Sequence, residues 1–126
     1  MSRASQFLEL AEEELQASRL LLDNKHYRSC ISRAYYAMYY ATQALLIDRN
    51  ITSRTHKGIL QQFSQTFVQS GDLPSSMAKN LKKTYGLRQL SDYEEAVTLT
   101  EELATQALKA STEFVSQTRV YLDNAV

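Results

Sequence analysis

Apolar residues recur every three or four positions along most of the chain, and only three glycines and one proline interrupt that pattern. This period places apolar side chains on one side of an α-helix, whereas glycine and proline commonly end helices or form tight turns. No segment shows a β-strand pattern. The sequence therefore predicts an all-α fold, an up-and-down antiparallel helical bundle of about five helices.

The helical pattern also predicts where individual helices begin and end. The predicted helices cover roughly residues 4–23, 27–48, 56–70, 75–88 and 91–122. The second is apolar nearly all round and should be central. Ser91-Asp92-Tyr93-Glu94 matches a capping box, which would start a long C-terminal helix of ~30 residues and ~45 Å. A length of 126 residues predicts a single domain, 1–126.

Charge is distributed unevenly although the formal net charge is zero. Residues 49–90 carry seven basic residues and one acidic residue, a balance of +6, whereas residues 91–126 carry two basic and seven acidic, a balance of −5. A cationic segment of this kind can attract phosphates. The alternative is that it pairs with the acidic segment, within a monomer or across a dimer.

Cysteine content and hydropathy bear on the expected compartment. Cys30 is the single cysteine, so it cannot form an internal disulfide, and we expect a buried, inert thiol. No basic-then-apolar leader opens the chain, and no apolar run approaches the roughly 18 residues of a spanning helix. We expect a cytoplasmic protein with no membrane association.

Several common functional motifs are absent. There is no glycine-rich phosphate loop, no zinc-type spacing of cysteine and histidine, and no G-x-S-x-G segment. His26 and His56 are 30 residues apart and have no obvious metal partner. We therefore expect neither a metal site nor a cofactor.

Arginine and histidine give the best candidates for a polar site. Arg88 is expected at the end of the fourth helix, near Asp92, and its planar guanidinium suits phosphate or carboxylate. An Arg88–Asp92 structural pair is the alternative. His56 is expected to open the third helix beside Arg54 and Lys57; it could move protons, or it could simply cap and pack.

Three tyrosines, Tyr36, Tyr39 and Tyr40, lie on the second predicted helix. They could stack on bases, but their helical spacing favours packing in the core or an interface. A long fifth helix and this much aromatic surface favour a homodimer joined through helical faces. Burial of the tyrosines within a monomer is the alternative.

Three segments, taken in order, resemble the HEPN domain. They are the aromatic run at residues 35–41, Thr-His-Lys-Gly at 55–58, and Arg88-x-x-x-Asp92-Tyr93. The resemblance spans about residues 7–114 and implies an all-α bundle, usually a homodimer, often encoded beside a minimal nucleotidyltransferase. Many members are metal-independent endoribonucleases, acting as toxins or defence effectors. Their R-x4–6-H arginine holds the scissile phosphate, and the histidine moves the proton.

The chain departs from that motif at its histidine. The fifth residue after Arg88 is Tyr93, and tyrosine, with an ordinary pKa near 10, is a poor base at neutral pH. The tyrosine that a partner enzyme modifies in the catalytic members would fall on Glu95. A literal R-x6-H joins Arg49 to His56, but it lies between the second and third predicted helices.

Three functional interpretations stay open. The first is a HEPN-type component of a toxin–antitoxin or defence module that binds nucleotide or RNA and partners a nucleotidyltransferase antitoxin-type protein, with weak catalysis or none. The second is an active metal-independent endoribonuclease toxin using His56 with Arg88 or Arg49. The third is a purely structural dimeric interaction module. The predicted binding residues are Arg54, Lys57, Arg88, Asp92 and Tyr93.

Overall fold

The computed structural model of the chain describes residues 2–93 and 98–124. Within these ranges the chain forms five α-helices and no β-strand, which confirms the predicted all-α class. The helices are α1 (Arg3–Asp23), α2 (Tyr27–Asp48), α3 (His56–Phe63), α4 (Ser75–Tyr93) and α5 (Glu101–Asn124). The Tyr93 side chain, Glu94 and Glu95, all part of the sequence predictions, lie outside the described residues.

Helix α2 is the central helix, as its apolar pattern predicted. It packs against all four other helices. Alanines at 34, 37, 41 and 44 are fully buried, and these short side chains let neighbouring helices approach closely. Leu45, Leu46 and Met38 are also fully buried and supply much of the apolar volume.

Helix α3 is shorter than predicted because its hydrogen-bond pattern changes after Phe63. The segment Ser64–Val68 continues the helix as a π-helical turn. Phe63 and Phe67 are both fully buried there, and the Phe63 ring lies 5.5 Å from Phe114 of α5. Gly71 follows with φ of +85°, the left-handed conformation expected after this helix.

The predicted start of the last helix is wrong. Ser91 lies inside α4, where its hydroxyl donates to the carbonyl of Arg88 at 2.7 Å instead of capping a new helix. The Ser91 carbonyl in turn accepts from the Arg28 guanidinium of α2. Arg88 and Asp92 therefore belong to one helix, not to two helices that meet at a corner.

Helix α5 is capped by Thr100. The Leu103 N–H donates to Thr100 Oγ1 at 3.2 Å, and Glu101 and Glu102 lie in the first turn, where negative charge is favourable. The helix has 24 residues, which corresponds to about 36 Å. It is a long C-terminal helix as predicted, but it is shorter than the sequence suggested.

Cys30 is fully buried, in agreement with the sequence prediction. Its Sγ lies 3.3 Å from Ser18 Oγ, and burial raises the pKa of the thiol, which makes it less reactive. In the described ranges no helix combines the length and apolar character needed to cross a membrane.

Candidate functional site

His56 begins α3 and contacts the buried Tyr35 of α2. Thr55 precedes it as the helix cap, and Thr55 Oγ1 accepts from the Gly58 N–H at 2.9 Å. This cap fixes the first turn of the helix and with it the position of the imidazole. The Tyr35 hydroxyl lies 2.7 Å from His56 Nδ1, a hydrogen bond between two helices.

Aromatic rings surround the half-buried imidazole. The Tyr85 ring of α4 stacks on it with centroids 5.5 Å apart and an interplanar angle of 23°. The Tyr39 ring lies 5.2 Å away and Tyr36 lies 6.4 Å away. These ring contacts cover part of the imidazole and restrain its orientation.

Arg88 lies on the same side of α2 as this histidine. Its guanidinium carbon is 5.2 Å from the Tyr36 ring centre and 5.8 Å from the Tyr35 ring centre, within the range of cation–π attraction. Its Nη2 forms an ion pair with Asp92 Oδ2 at 3.1 Å, which confirms the Arg88–Asp92 pairing considered from the sequence. Only 19% of the Arg88 side chain is exposed.

One nitrogen of this guanidinium lacks a partner. Among the buried side-chain polar atoms that the structure describes, Arg88 Nε alone makes no hydrogen bond. An unsatisfied buried donor costs free energy, and each such atom in a native protein needs an explanation. Arg88 is thus held by aromatic rings and by one carboxylate, with hydrogen-bonding capacity to spare.

His56 and Arg88 influence each other electrostatically. Burial lowers the pKa of His56 below its ordinary value of 6.5, and the nearby Arg88 charge lowers it further. The imidazole is therefore neutral at pH 7. We call the group formed by His56, Arg88, Tyr35, Tyr36 and Tyr85 the His56–Arg88 cluster.

A cationic groove of about 540 Å³ adjoins the cluster. We call it the α3–α4 groove. Its lining includes Lys57, Leu60, Gln61, Ser64, Lys79 and Lys82.

The lysines of this groove form no ion pair with any residue that the structure describes. None of the four ion pairs between described residues involves Lys57, Lys79 or Lys82. Lys57 follows His56 in the sequence, and Lys82 precedes Tyr85 by three residues, so groove and cluster are neighbours along the same two helices. Arg54 is exposed in the loop that leads into α3.

Arg49 belongs to a different region of the molecule. Its Nη2 lies 3.0 Å from Asp72 Oδ2 and donates to the Tyr121 hydroxyl at 2.6 Å, and its guanidinium packs over Phe67. Asp72 and Tyr121 thus both contact one guanidinium nitrogen, Nη2. For the literal R-x6-H of the sequence, the contacts of Arg49 are with Asp72, Tyr121 and Phe67, whereas His56 shares a cluster with Arg88.

Other sequence candidates have structural roles in the single chain. Tyr36, Tyr39 and Tyr40 are partly buried and pack against the main core. In the part of the chain that is described, no group of three or more acidic, histidine or cysteine side chains could hold a metal ion.

Sequence reasoning did not assign Tyr35, Tyr85, Lys79 or Lys82 to the site. Tyr35 and His56 are 21 residues apart on separate helices, so no local pattern reports their contact. Lys79 and Lys82 could have been found, because a spacing of three places both on one side of a helix.

Comparisons with known proteins agree with this fold. The sequence profile of the HEPN domain matches residues 4–120. A Methanocaldococcus jannaschii protein named "Putative toxin MJ0142" is 31% identical, over 91% of this chain and 78% of that protein. A second protein of the same organism, "Putative toxin MJ0605", is 37% identical over 68% of this chain and 64% of its own length.

Solved structures share the architecture. The crystal structure of TT1696 from Thermus thermophilus superposes with a TM-score of 0.82 at 20% identity, covering 96% of this chain and 99% of that one. ST0689, described as an archaeal HEPN homologue, gives a TM-score of 0.76 at 17% identity, covering 94% and 97%. The match to the family profile spans nearly the whole chain, and this protein therefore belongs to the HEPN domain family.

Proposed function

We propose that this protein is the HEPN component of a toxin–antitoxin or defence module and binds RNA, or a nucleotide, without efficient cleavage. The observation that carries the proposal is the α3–α4 groove, where Lys57, Lys79 and Lys82 face no acidic partner among the described residues. Unpaired lysines along a groove can neutralise successive phosphates and release counterions.

The His56–Arg88 cluster is the second part of the proposed site. Arg88 can bind a phosphate with donors that Asp92 does not occupy, and neutral His56 can donate one hydrogen bond. Arg54 and Lys57 add positive charge at the start of α3. Asp92 forms an ion pair with Arg88 at the edge of the proposed site. Tyr93 stays a proposed binding residue.

Family membership and the names of the relatives support a proposal about partners. We propose a homodimer that works with a minimal nucleotidyltransferase of the antitoxin type. The relatives named as toxins support the module, and the partly exposed tyrosines of α2 are a suitable surface for a second copy.

Binding of a labelled single-stranded RNA, measured by fluorescence anisotropy at several salt concentrations, tests the proposal. Wild-type affinity should fall linearly with salt on logarithmic axes. Replacing Lys57, Lys79 and Lys82 with alanine should reduce that slope by about 2, because each phosphate contact in single strands contributes about 0.7.

The matched control changes a similar amount of charge elsewhere. Arg19 of α1 and Lys109 of α5 are exposed and lie outside the groove. The R19A/K109A double variant should keep the wild-type slope. The groove variant loses three positive charges and the control two, so equal losses of slope per removed charge would mean that RNA responds only to net charge, which contradicts a defined groove.

A metal-independent endoribonuclease is the second candidate, and the proximity of His56 and Arg88 favours it. In that reaction a base takes the proton of the ribose 2′-hydroxyl while arginine stabilises the phosphate. His56 is neutral at pH 7, as a base must be. Cleavage in EDTA that His56→Ala and Arg88→Ala both abolish would select this candidate.

A further inference from the structure

The direction of the hydrogen bond between Tyr35 and His56 depends on which of the two groups carries the shared proton. Tyr35 is 1% exposed, and its hydroxyl has one proton to donate. Burial raises the pKa of Tyr35 above its ordinary value, so the phenol keeps that proton at neutral pH. His56 Nδ1, 2.7 Å away, is the hydroxyl's single hydrogen-bond partner among the described residues.

Two arrangements of the protons are conceivable, and they differ in cost. If Nδ1–H donated to the Tyr35 oxygen, the phenolic proton would be buried without an acceptor among the described residues. If the hydroxyl donates to Nδ1, both groups are satisfied. The second arrangement leaves neither the hydroxyl nor Nδ1 unpaired, so Nδ1 accepts the bond and the imidazole carries its proton on Nε2.

The other ring nitrogen meets solvent. Nε2 forms no hydrogen bond with a described residue. If it were buried, it would be a buried polar atom without a partner, and among the described residues Arg88 Nε is the single atom of that kind. Nε2 is therefore accessible to solvent. An Nε2–H group open to solvent can donate to a phosphate oxygen. It has no lone pair in the ring plane, so it cannot take a proton from a 2′-hydroxyl.

We infer that Tyr35 is a positioning residue that fixes His56 in its Nε2–H tautomer, so that the histidine donates a hydrogen bond to a bound phosphate and does not act as a base. The role of that phosphate rests on the proposed function. The tautomer itself is a property of the free protein. Protonation of the imidazole is also disfavoured. It would place a hydrogen on Nδ1, which could then no longer accept the hydrogen bond from the Tyr35 hydroxyl.

Nitrogen NMR of the free protein, labelled with ¹⁵N-histidine, tests the inference. The chain contains two histidines, and the His26→Gln variant assigns their signals. The wild-type protein at pH 7.5 should show His56 predominantly as Nε2–H. Tyr35→Phe removes the hydroxyl and should increase the ratio of Nδ1–H to Nε2–H about fivefold, the equivalent of one hydrogen bond.

Tyr39→Phe is the matched control. The Tyr39 ring also packs against His56, at 5.2 Å, but its hydroxyl accepts from Gln43 and makes no bond to the imidazole. This variant should retain the wild-type tautomer. Circular dichroism and thermal unfolding confirm that both variants fold.

Three results would overturn the tautomer inference, whether or not the proposed function is correct. Predominant Nδ1–H in the wild type, or an unchanged ratio in Tyr35→Phe, overturns the inference. Equal changes in Tyr35→Phe and Tyr39→Phe overturn it too, because general loosening would then be the cause. Short single-stranded RNA added to the same sample should shift the His56 signal; a correct tautomer without that shift would reject the binding function and leave the role of Tyr35 intact.

Discussion

Arg88 Nη2 and Asp92 Oδ2 lie 3.1 Å apart on adjacent turns of α4. The carboxylate is 38% exposed and the arginine 19% exposed, so the pair lies at the edge of the site and not in the core. Asp92 therefore competes with any bound phosphate for the Arg88 guanidinium. The Arg88-x-x-x-Asp92 spacing is that of a helical i, i+4 pair.

Asp92→Asn should strengthen RNA binding. Removing the carboxylate frees the Arg88 guanidinium for phosphate, and partly exposed pairs are typically worth up to about 1 kcal/mol, or about fivefold in affinity. Anisotropy titrations at low salt measure the effect. Asp72→Asn is the control, since Asp72 pairs with Arg49 away from the cluster; an equal gain there would mean that only net charge matters.

Alanine at Gly58 and at Gly86 should have opposite effects on stability. A Cβ at Gly58 would lie 2.4 Å from Ser53 Oγ and 2.8 Å from Thr55 Oγ1, so the hydroxyl that caps α3 must move. Loss of a cap costs about 1 kcal/mol. A Cβ at Gly86 meets nothing within 4 Å, and this α4 position should gain about 0.5–1 kcal/mol.

Urea unfolding of the Gly58→Ala and Gly86→Ala variants measures both changes. The RNA affinity of Gly58→Ala should also fall, since the cap positions His56, whereas Gly86→Ala should bind normally. A Gly58→Ala protein that gains as much stability as Gly86→Ala would show that the two hydroxyls rotate away at no cost.

Stability should fall as the pH drops below about 6.5. The pKa of His56 is lower in the folded protein than its ordinary value, so between those two values the unfolded chain binds more protons. Stability is therefore fully present above pH 6.5 and declines on acidification through this window. Thermal unfolding across pH 5–8 measures the decline, which His56→Gln should reduce; an unchanged decline in that variant would contradict the assignment to His56.

Phe63→Ala should be severely destabilising. Phe63 is fully buried at the junction of α3 with its π-helical turn, and its ring contacts Phe67 and Phe114. Truncating such a phenylalanine typically costs 3–5 kcal/mol. Leu20→Ala, at a side chain 63% exposed, should stay within about 0.5 kcal/mol of the wild type in the same urea titration.

Local signals in the sequence predicted most of the fold. The second helix was predicted at its observed bounds, and Thr55 and Gly71 mark the start and end of the α3 region as expected. The end of α4 was wrong for a physical reason. Ser91 can cap a helix or bond back to a carbonyl within one, and the sequence alone does not distinguish these.

The site was less predictable than the fold. His56 and Arg88 were chosen by residue type, but the residue that links them is Tyr35, which long-range packing brings to both. Likewise, Arg49 was a candidate because of its spacing to His56. Its actual partners, Asp72 and Tyr121, are 23 and 72 residues away in the chain.

One assay tests the central claim, which is that this protein binds RNA without cutting it. Purified protein is mixed with labelled single-stranded RNA in EDTA, and each sample is divided between a native gel and a denaturing gel. We predict a salt-sensitive shift on the native gel and intact RNA on the denaturing gel. Metal-independent cleavage that folded His56→Ala and Arg88→Ala variants both lose, or no binding even at low salt, would contradict the account.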